Sequence, residues 1–256
     1  MKRFIGILQF LTRIPIHIDI GFDEEFHKTM YYFPLVGFVL GILYCLVGFI
    51  SSIFFDSYIT SANVLISTVI LTGGLHLDGV GDTFDGIYSY RDKEKILEIM
   101  KDSRLGTNAM LSILFLMLLK LGFIYSIIES GQLYNLIFMP VFARMAIVIA
   151  SYKSVTPREK GMGNVFIGKP TLNMILVNIL YTIILIFIIG GSVFNLNIMS
   201  LTKEVFFILV MILLTRLFVR YIYTKIDGIT GDILGCTSEL TEVIYLVYIY
   251  LVFALK

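Results

Sequence analysis

Long apolar runs separated by short polar segments dominate the chain. A helix needs about 20 consecutive apolar residues to cross the hydrocarbon core of a bilayer, and seven runs approach or exceed that length. The pattern predicts an all-α fold: a polytopic integral membrane helical bundle of about seven transmembrane helices with short interfacial helices. By residue number the runs are 31–55, 59–75, 109–128, 134–150, 172–193, 205–223 and 241–255.

The remaining segments connect these runs. Residues 1–30 contain the apolar stretch FIGILQFL, which is too short to span, followed by the polar stretch GFDEEFHK. We interpret them as an interfacial or re-entrant arm rather than a cleavable signal peptide, because no small-residue cleavage site follows. The sequence has no visible internal repeat, low-complexity tract or boundary of a soluble domain, so residues 1–256 are predicted to form a single membrane domain.

The basic residues predict the orientation of this domain. They concentrate in the N-terminal arm, in the connection between the second and third runs, and in that between the fourth and fifth runs, whereas Lys203 and Lys256 fall on the other side. Lys and Arg next to membrane helices are retained in the cytoplasm. The sequence therefore predicts a multi-pass protein of the cell membrane with its N-terminus in the cytoplasm.

Composition narrows the function classes. Hydrophobic residues make up 57% of the chain and charged residues only 15%, against about a quarter charged in soluble domains. The apolar composition predicts that membrane lipid surrounds the protein. A net charge of +1 gives no overall attraction to nucleic acid, so no nucleic-acid partner is expected. The two cysteines provide neither a disulfide framework nor a zinc site.

Three aspartates in the 73–108 connection form the first ordered acidic group. Asp78, Asp82 and Asp85 stand at i, i+4 and i+7, so a helix continuing past the second run would place them on one face. Like charges at that spacing repel unless a cation neutralises them, and oxygen ligands suit Mg2+ or Mn2+. The alternative is a solvated, turn-rich loop. Five nearby glycines and the adjacent apolar run favour a functional site, which we expect to be cytoplasmic.

Polar neighbours extend this group. His76 beside Asp78 is a candidate for orienting a substrate phosphate or assisting a carboxylate, although a lone histidine is more often an ordinary interfacial residue. Downstream of a short amphipathic helix, Lys101 and Arg104 could grip phosphate oxygens while Asp102 adds a metal ligand. The alternative for these three is a salt-bridged surface.

The 224–242 connection carries the second acidic group. Asp227 and Asp232 lie among glycines, and Glu239 and Glu242 are one turn apart where the last helix is predicted to begin. The helix macrodipole stabilises carboxylates near a helix N-terminus. The alternative for the two glutamates is therefore a structural role at the start of the last helix. Two carboxylate groups on one membrane face could close around one or two divalent ions, an arrangement that serves phosphoryl transfer.

Other signals are weaker. Arg144 lies near the cytoplasmic end of the fourth run and could reach a phosphate, whereas Lys120 in the third run has no evident partner. Gly161 and Gly163 beside Arg158 would fit a phosphate cradle of backbone N–H groups and a cation.

Together these motifs resemble the cobalamin synthase family, the integral membrane adenosylcobinamide-GDP ribazoletransferases. The resemblance covers essentially the whole chain, and the central acidic motif is its most specific part. The motifs that carry it are FLTRIP at 10–15, FPLVG at 33–37, GGLHLDGVGDTFDG at 73–86, KDSRLGT at 101–107 and DGITGDILG at 227–235.

The resemblance implies a reaction and its partners. Members of that family join adenosylcobinamide-GDP to α-ribazole or α-ribazole 5'-phosphate, release GMP and require Mg2+. Asp82 is then the candidate base that accepts the proton of the attacking ribose hydroxyl. The oligomeric state, including a homo-oligomer, stays open. The candidate metal ligands are Asp78, Asp82, Asp85, Asp102, Asp227 and Asp232, and the candidate substrate-binding residues are Arg13, His76, Lys101, Arg104, Arg144, Gly161, Gly163, Glu239 and Glu242.

Two alternatives remain at the level of the sequence. Another metal-dependent membrane phosphotransferase acting on a nucleotide-activated substrate would need the same acids on the same side. A cation-coupled transporter is disfavoured, because it expects carboxylates near the bilayer midplane on broken helices, and here they cluster at the ends of the runs.

Overall fold

A computed structural model of the chain describes residues 2–19, 21 and 23–254. These residues form helices and connections without a β-strand, which confirms the all-α prediction. Short 3-10 helices precede α2 and follow α7, and a π-helical segment, Ile186–Val193, extends α8. The α-helices are α1 (Lys2–Leu11), α2 (Phe33–Phe54), α3 (Ser57–Thr72), α4 (Leu75–Ile87), α5 (Lys93–Ile99), α6 (Thr107–Glu129), α7 (Asn135–Ser151), α8 (Leu172–Leu185), α9 (Ile198–Ile226) and α10 (Gly231–Ala254).

Within the described residues each of the seven apolar runs is largely helical, but the exact count of seven spans is not confirmed. Within the described residues, five helices are long and apolar enough to cross a membrane, and α3 with α4 makes a sixth if that bent pair is one span. Helix α7 has 17 residues, at the lower limit of the length that crosses a bilayer core. The five are Phe26–Phe54, Thr107–Glu129, Leu172–Val193, Ile198–Ile226 and Gly231–Val252.

Helix α7 forms the centre of the bundle. All of its residues from Asn135 to Ser151 are buried, and it packs against α2, α8, α9 and α10. A helix that is apolar on every side must be enclosed by protein or lipid, and here the neighbouring helices enclose it. The outward faces of those neighbours expose many large apolar side chains, such as Phe49, Leu176 and Leu213, as expected for helices in contact with lipid.

The second run ends in a sharp turn instead of continuing as one helix. Gly73 and Gly74 both adopt left-handed backbone conformations, with φ of 65° and 69°, which cost glycine little. They turn α4 by 90° relative to α3. The three aspartates 78, 82 and 85 therefore lie on a separate helix that crosses the end of the bundle.

The last two helices begin earlier than their apolar runs. Asn197 caps α9 by accepting a hydrogen bond from the Ser200 N–H, and α10 begins at Gly231 rather than near Thr241. The expectation that Glu239 and Glu242 lie at a helix N-terminus is therefore wrong. Their charge suggested the exposed end of a helix. They lie inside α10 instead, because the buried cations Lys120 and Arg144 on other helices neutralise them. Leu255, predicted as the end of the last run, and Lys256 lie outside the described residues.

Candidate active site

A cavity of about 200 Å³ opens at the end of the bundle where α1, α4, α10 and the α7–α8 connection meet. Its polar side contains Asp78, Asp232, Arg158 and His76. Part of the remaining lining is apolar, and we call that part the aromatic wall. The aromatic wall consists of Phe10, Phe33, Ile147, Phe166 and Leu234.

Close packing of α4 on α10 brings the two acidic motifs together. A Cβ atom on Gly79 would lie 2.6 Å from the main-chain oxygen of Asp232, and one on Gly235 would lie 3.2 Å from Cα of His76. Only glycine permits such an approach of two backbones. Asp78 and Asp232, far apart in sequence, consequently line the same cavity, and a divalent cation shared by the two acidic groups stays a prediction.

Arg158 is the cation of this cavity. Its Nη1 donates to Oδ2 of Asp232 at 2.7 Å and its Nη2 to the main-chain oxygen of Met100 at 3.2 Å. Its Nε is buried and has no hydrogen-bond partner. Sequence reasoning noted Arg158 beside two glycines without ranking it as a site residue, and the signal that could have singled it out is the segment PREKGMGN. Gly161 and Gly163 also line the cavity.

Asp82 is partly buried on α4, outside the five long apolar helices. Burial raises the pKa of its carboxyl to about 7, and the negative charges of Asp232 and Asp78 add to this rise. We call Asp78, Asp82 and Asp232 the carboxylate group. Among the described residues, no three His, Cys, Asp or Glu side chains are close enough to form a ready-made metal site. Of these three, Asp78 and Asp232 line the cavity of the described chain and Asp82 does not, although the negative charges of Asp78 and Asp232 act on Asp82.

Asp85 serves as a helix cap. Its two carboxylate oxygens accept hydrogen bonds from the N–H groups of Gly106 and Ala109, at 2.7 and 2.8 Å. These are N–H groups at the start of α6 that have no partner within the helix. Asp85 therefore fixes α4 to the first turn of α6, and a metal at Asp85 stays a prediction.

Other predicted site residues lie at or near the protein surface. Asp102 is paired with Arg104 at 2.6 Å, and Asp227 is paired with Lys93 at 2.9 Å with 75% of its side chain exposed. Lys101 is exposed. None of these residues, nor Arg13 beside Gly73, is among those lining the cavity of the described chain.

Glu239, Glu242 and Arg144 lie inside the bundle instead. Nζ of Lys120 contacts Oε2 of Glu239 at 2.5 Å and Oε2 of Glu242 at 2.6 Å. Arg144 donates to Oε1 of Glu242 at 3.1 Å and to Oγ of Ser238 at 2.8 Å. We call Lys120, Arg144, Glu239 and Glu242 the buried quartet. It gives Lys120 the anions that the sequence did not reveal.

His76 lies between the buried quartet and the cavity. Its side chain lines the cavity and is 4% exposed, and its Nδ1 has no hydrogen-bond partner. Burial lowers the pKa of the imidazole well below its usual value, and the positive charges of Arg144 and Lys120 act in the same direction. The imidazole is therefore neutral near pH 7 and has one donor and one acceptor nitrogen.

Comparisons with known proteins identify the family. The family model described as cobalamin-5-phosphate synthase matches residues 3–250, and no solved structure matches the chain. The adenosylcobinamide-GDP ribazoletransferase of Clostridioides difficile (strain 630) is 57% identical over 251 residues, 98% of each chain. That of Alkaliphilus metalliredigens (strain QYMF) is 45% identical over 252 residues, 98% of this chain and 96% of the relative.

These matches extend over nearly the whole chain and agree with the helical, membrane-type architecture. They exclude the transporter that the sequence had left as an alternative, because the relatives are named as transferases. The chain belongs to the cobalamin-5-phosphate synthase family and is a transferase of cobalamin synthesis.

Proposed function

We propose that the protein transfers the phosphocobinamide group of adenosylcobinamide-GDP to α-ribazole or α-ribazole 5'-phosphate. A ribose hydroxyl oxygen of the acceptor bonds to the phosphorus that carries cobinamide, and the bond from this phosphorus to the bridging oxygen of GMP breaks. GMP leaves, and the hydroxyl proton passes to a carboxylate. The observation that carries the proposal is the cavity in which Asp78 and Asp232, from two distant motifs, meet Arg158.

The reaction is proposed to depend on Mg2+, with Mn2+ as a substitute. The oxygen-only donors of the carboxylate group, which repel one another, are of the kind that hard divalent cations prefer. When bound there, the cation would neutralise charge on the diphosphate and on the departing GMP. Asp85 keeps its place as the cap of α6 in this proposal, since both of its oxygens are engaged.

Residues of the protein itself are proposed to transfer the proton and to bind the phosphate groups. Asp78 and Asp232 would hold the cation, and Asp82 instead accepts the proton of the attacking hydroxyl, because a base is most effective when its pKa lies near the working pH. Arg158 binds a phosphate oxygen through the donor that has no protein partner. The N–H groups of Gly161 and Gly163 and the N-terminus of α10 add donors that favour an anion.

We propose that the cavity faces the cytoplasm from the cell membrane. The basic connections meet at this end of the bundle: Arg158 binds the main-chain oxygen of Met100, and Lys93 pairs with Asp227. Basic residues next to membrane helices stay in the cytoplasm. Both substrates would then reach the cavity from that compartment.

The test uses the purified protein in detergent or nanodiscs. It is incubated with adenosylcobinamide-GDP and α-ribazole, once with Mg2+ and once with excess chelator. We expect the joined corrinoid and GMP to form in equal amounts and only with the metal. Unchanged turnover in chelator would contradict metal dependence, and release of GMP without a joined product would contradict the transfer.

A further inference from the structure

The proposed transfer chemistry uses no residue of the aromatic wall. Phe166 is 4% exposed and Phe33 is 1% exposed, and their ring centroids are 5.5 Å apart in an edge-to-face arrangement. Phe10 packs on Phe166 with centroids 5.7 Å apart and is 38% exposed. The wall therefore has two buried rings and a third that is partly exposed, within the same cavity as Asp78, Asp232 and Arg158.

We propose that the aromatic wall binds the heterocyclic base of the acceptor nucleoside, with His76 as the hydrogen-bonding group for that base. The proposal rests on the proposed function, which supplies the acceptor. It makes Phe10, Phe33 and Phe166 the residues that recognise the acceptor, next to the carboxylate group that handles its hydroxyl.

Size excludes the corrin part of the donor. A cavity of about 200 Å³ is below the roughly 300–1,000 Å³ of sites that enclose a drug-sized ligand. It has room for one fused ring system and part of a sugar, whereas the corrin macrocycle must stay outside. The competing occupant is the guanine of the donor.

Polarity favours the acceptor base over guanine. Guanine has donors and acceptors around its edge, and each would lose its water against apolar side chains such as Ile147 and Leu234. The benzimidazole of α-ribazole has a single ring nitrogen available as an acceptor. Nδ1 of His76 is buried beside the cavity without a hydrogen-bond partner, and in the tautomer that carries its proton it can donate to one such nitrogen.

The test separates the two substrates kinetically with Phe166→Leu and Phe10→Leu. Loss of a ring that stacks on a base should raise the KM for α-ribazole about tenfold, with the KM for adenosylcobinamide-GDP and kcat close to wild type. Phe10→Leu guards against a folding defect, because Phe10 is partly exposed. The control is Phe123→Leu, which removes an aromatic contact with Tyr250 away from the cavity and should leave both KM values unchanged.

Three results would overturn the inference. An increase in the KM for the donor alone would assign the wall to guanine, an equal increase in both would indicate a general structural role, and no change would leave the wall without a ligand. Equilibrium dialysis of α-ribazole against wild type and both variants, without the donor, separates this inference from the proposed function. Binding that weakens in both variants supports the wall even if wild type forms no joined product, and equal binding by all three proteins contradicts it.

Discussion

Two groups of charged side chains lie along the first three turns of α10, and they differ in their balance of charge. The buried quartet contains two cations and two anions joined by contacts of 3.1 Å or less. Among the described residues, the carboxylate group has three carboxyl groups and the single cation Arg158. Charges enclosed by the bundle must be paired within it. Charges at the cavity can stay unbalanced within the protein because a bound ligand from solution can neutralise them.

The comparison assigns different roles to residues of the same chemical type. Glu239 and Asp232 are separated by two turns of one helix, about 10 Å. One neutralises a buried lysine, and the other faces the cavity. Loss of a quartet residue should therefore reduce stability, and loss of a carboxylate-group residue should reduce catalysis in a protein that remains folded.

The largest effect is expected for Asp82→Asn. Asparagine has nearly the same shape but cannot accept the proton or bind a cation as a carboxylate does. We expect kcat to fall by about 10²- to 10⁴-fold, with the thermal unfolding temperature unchanged. The control is Asp227→Asn, which alters an exposed ion pair outside the cavity and should be nearly as active as wild type. Near-normal turnover of Asp82→Asn would refute its assigned role.

A large loss of stability is expected for Lys120→Met. The substitution leaves two buried glutamates with only Arg144 near them, and breaking a buried ion pair destabilises by about 3–5 kcal/mol. Thermal unfolding in detergent measures the change. The double variant Lys120→Met/Glu239→Gln removes one charge of each sign and should recover part of the loss. A double variant less stable than the single would show that charge balance is not the reason for the quartet.

A moderate loss of activity is expected for Gly79→Ala. The new Cβ would lie 2.6 Å from the main-chain oxygen of Asp232, so α4 and α10 must separate and displace the carboxylates. We expect kcat/KM to fall roughly tenfold to a hundredfold. The matched control is Gly122→Ala on α6, where a Cβ would have no neighbour within 4 Å. Equal activity of both variants would mean that the contact does not position the site.

The smallest effect is expected for Asp85→Asn. Asparagine keeps one oxygen acceptor for the N–H groups of Gly106 and Ala109, so a loss of about 1 kcal/mol in stability or less is expected, as for a weakened helix cap. Turnover should remain close to wild type. Unfolding temperature and the Mg2+ dependence of turnover are measured together. A large increase in the Mg2+ concentration required would instead identify Asp85 as a metal ligand.

Much of the architecture could be predicted from local patterns. Apolar runs identified the helices, and the spacing of Asp78 and Asp82 placed both on one helix, because these properties depend on neighbours in sequence. The start of α10 was missed because Glu239 and Glu242 look like helix-end residues when Lys120 is not seen beside them. Arg158 was undervalued for a similar reason, since its partner Asp232 is 74 positions away.

The sequence by itself determined that the chain is an all-helical membrane protein, that its acidic motifs fall in connections rich in cations, and that it belongs to its family. Tertiary structure decided which carboxylates meet at the cavity and which are neutralised inside the bundle. The physical reason is that the state of a charge depends on its burial and its nearest opposite charge. Both are set by contacts between helices such as α6 and α10, whose paired residues Lys120 and Glu239 are 119 positions apart.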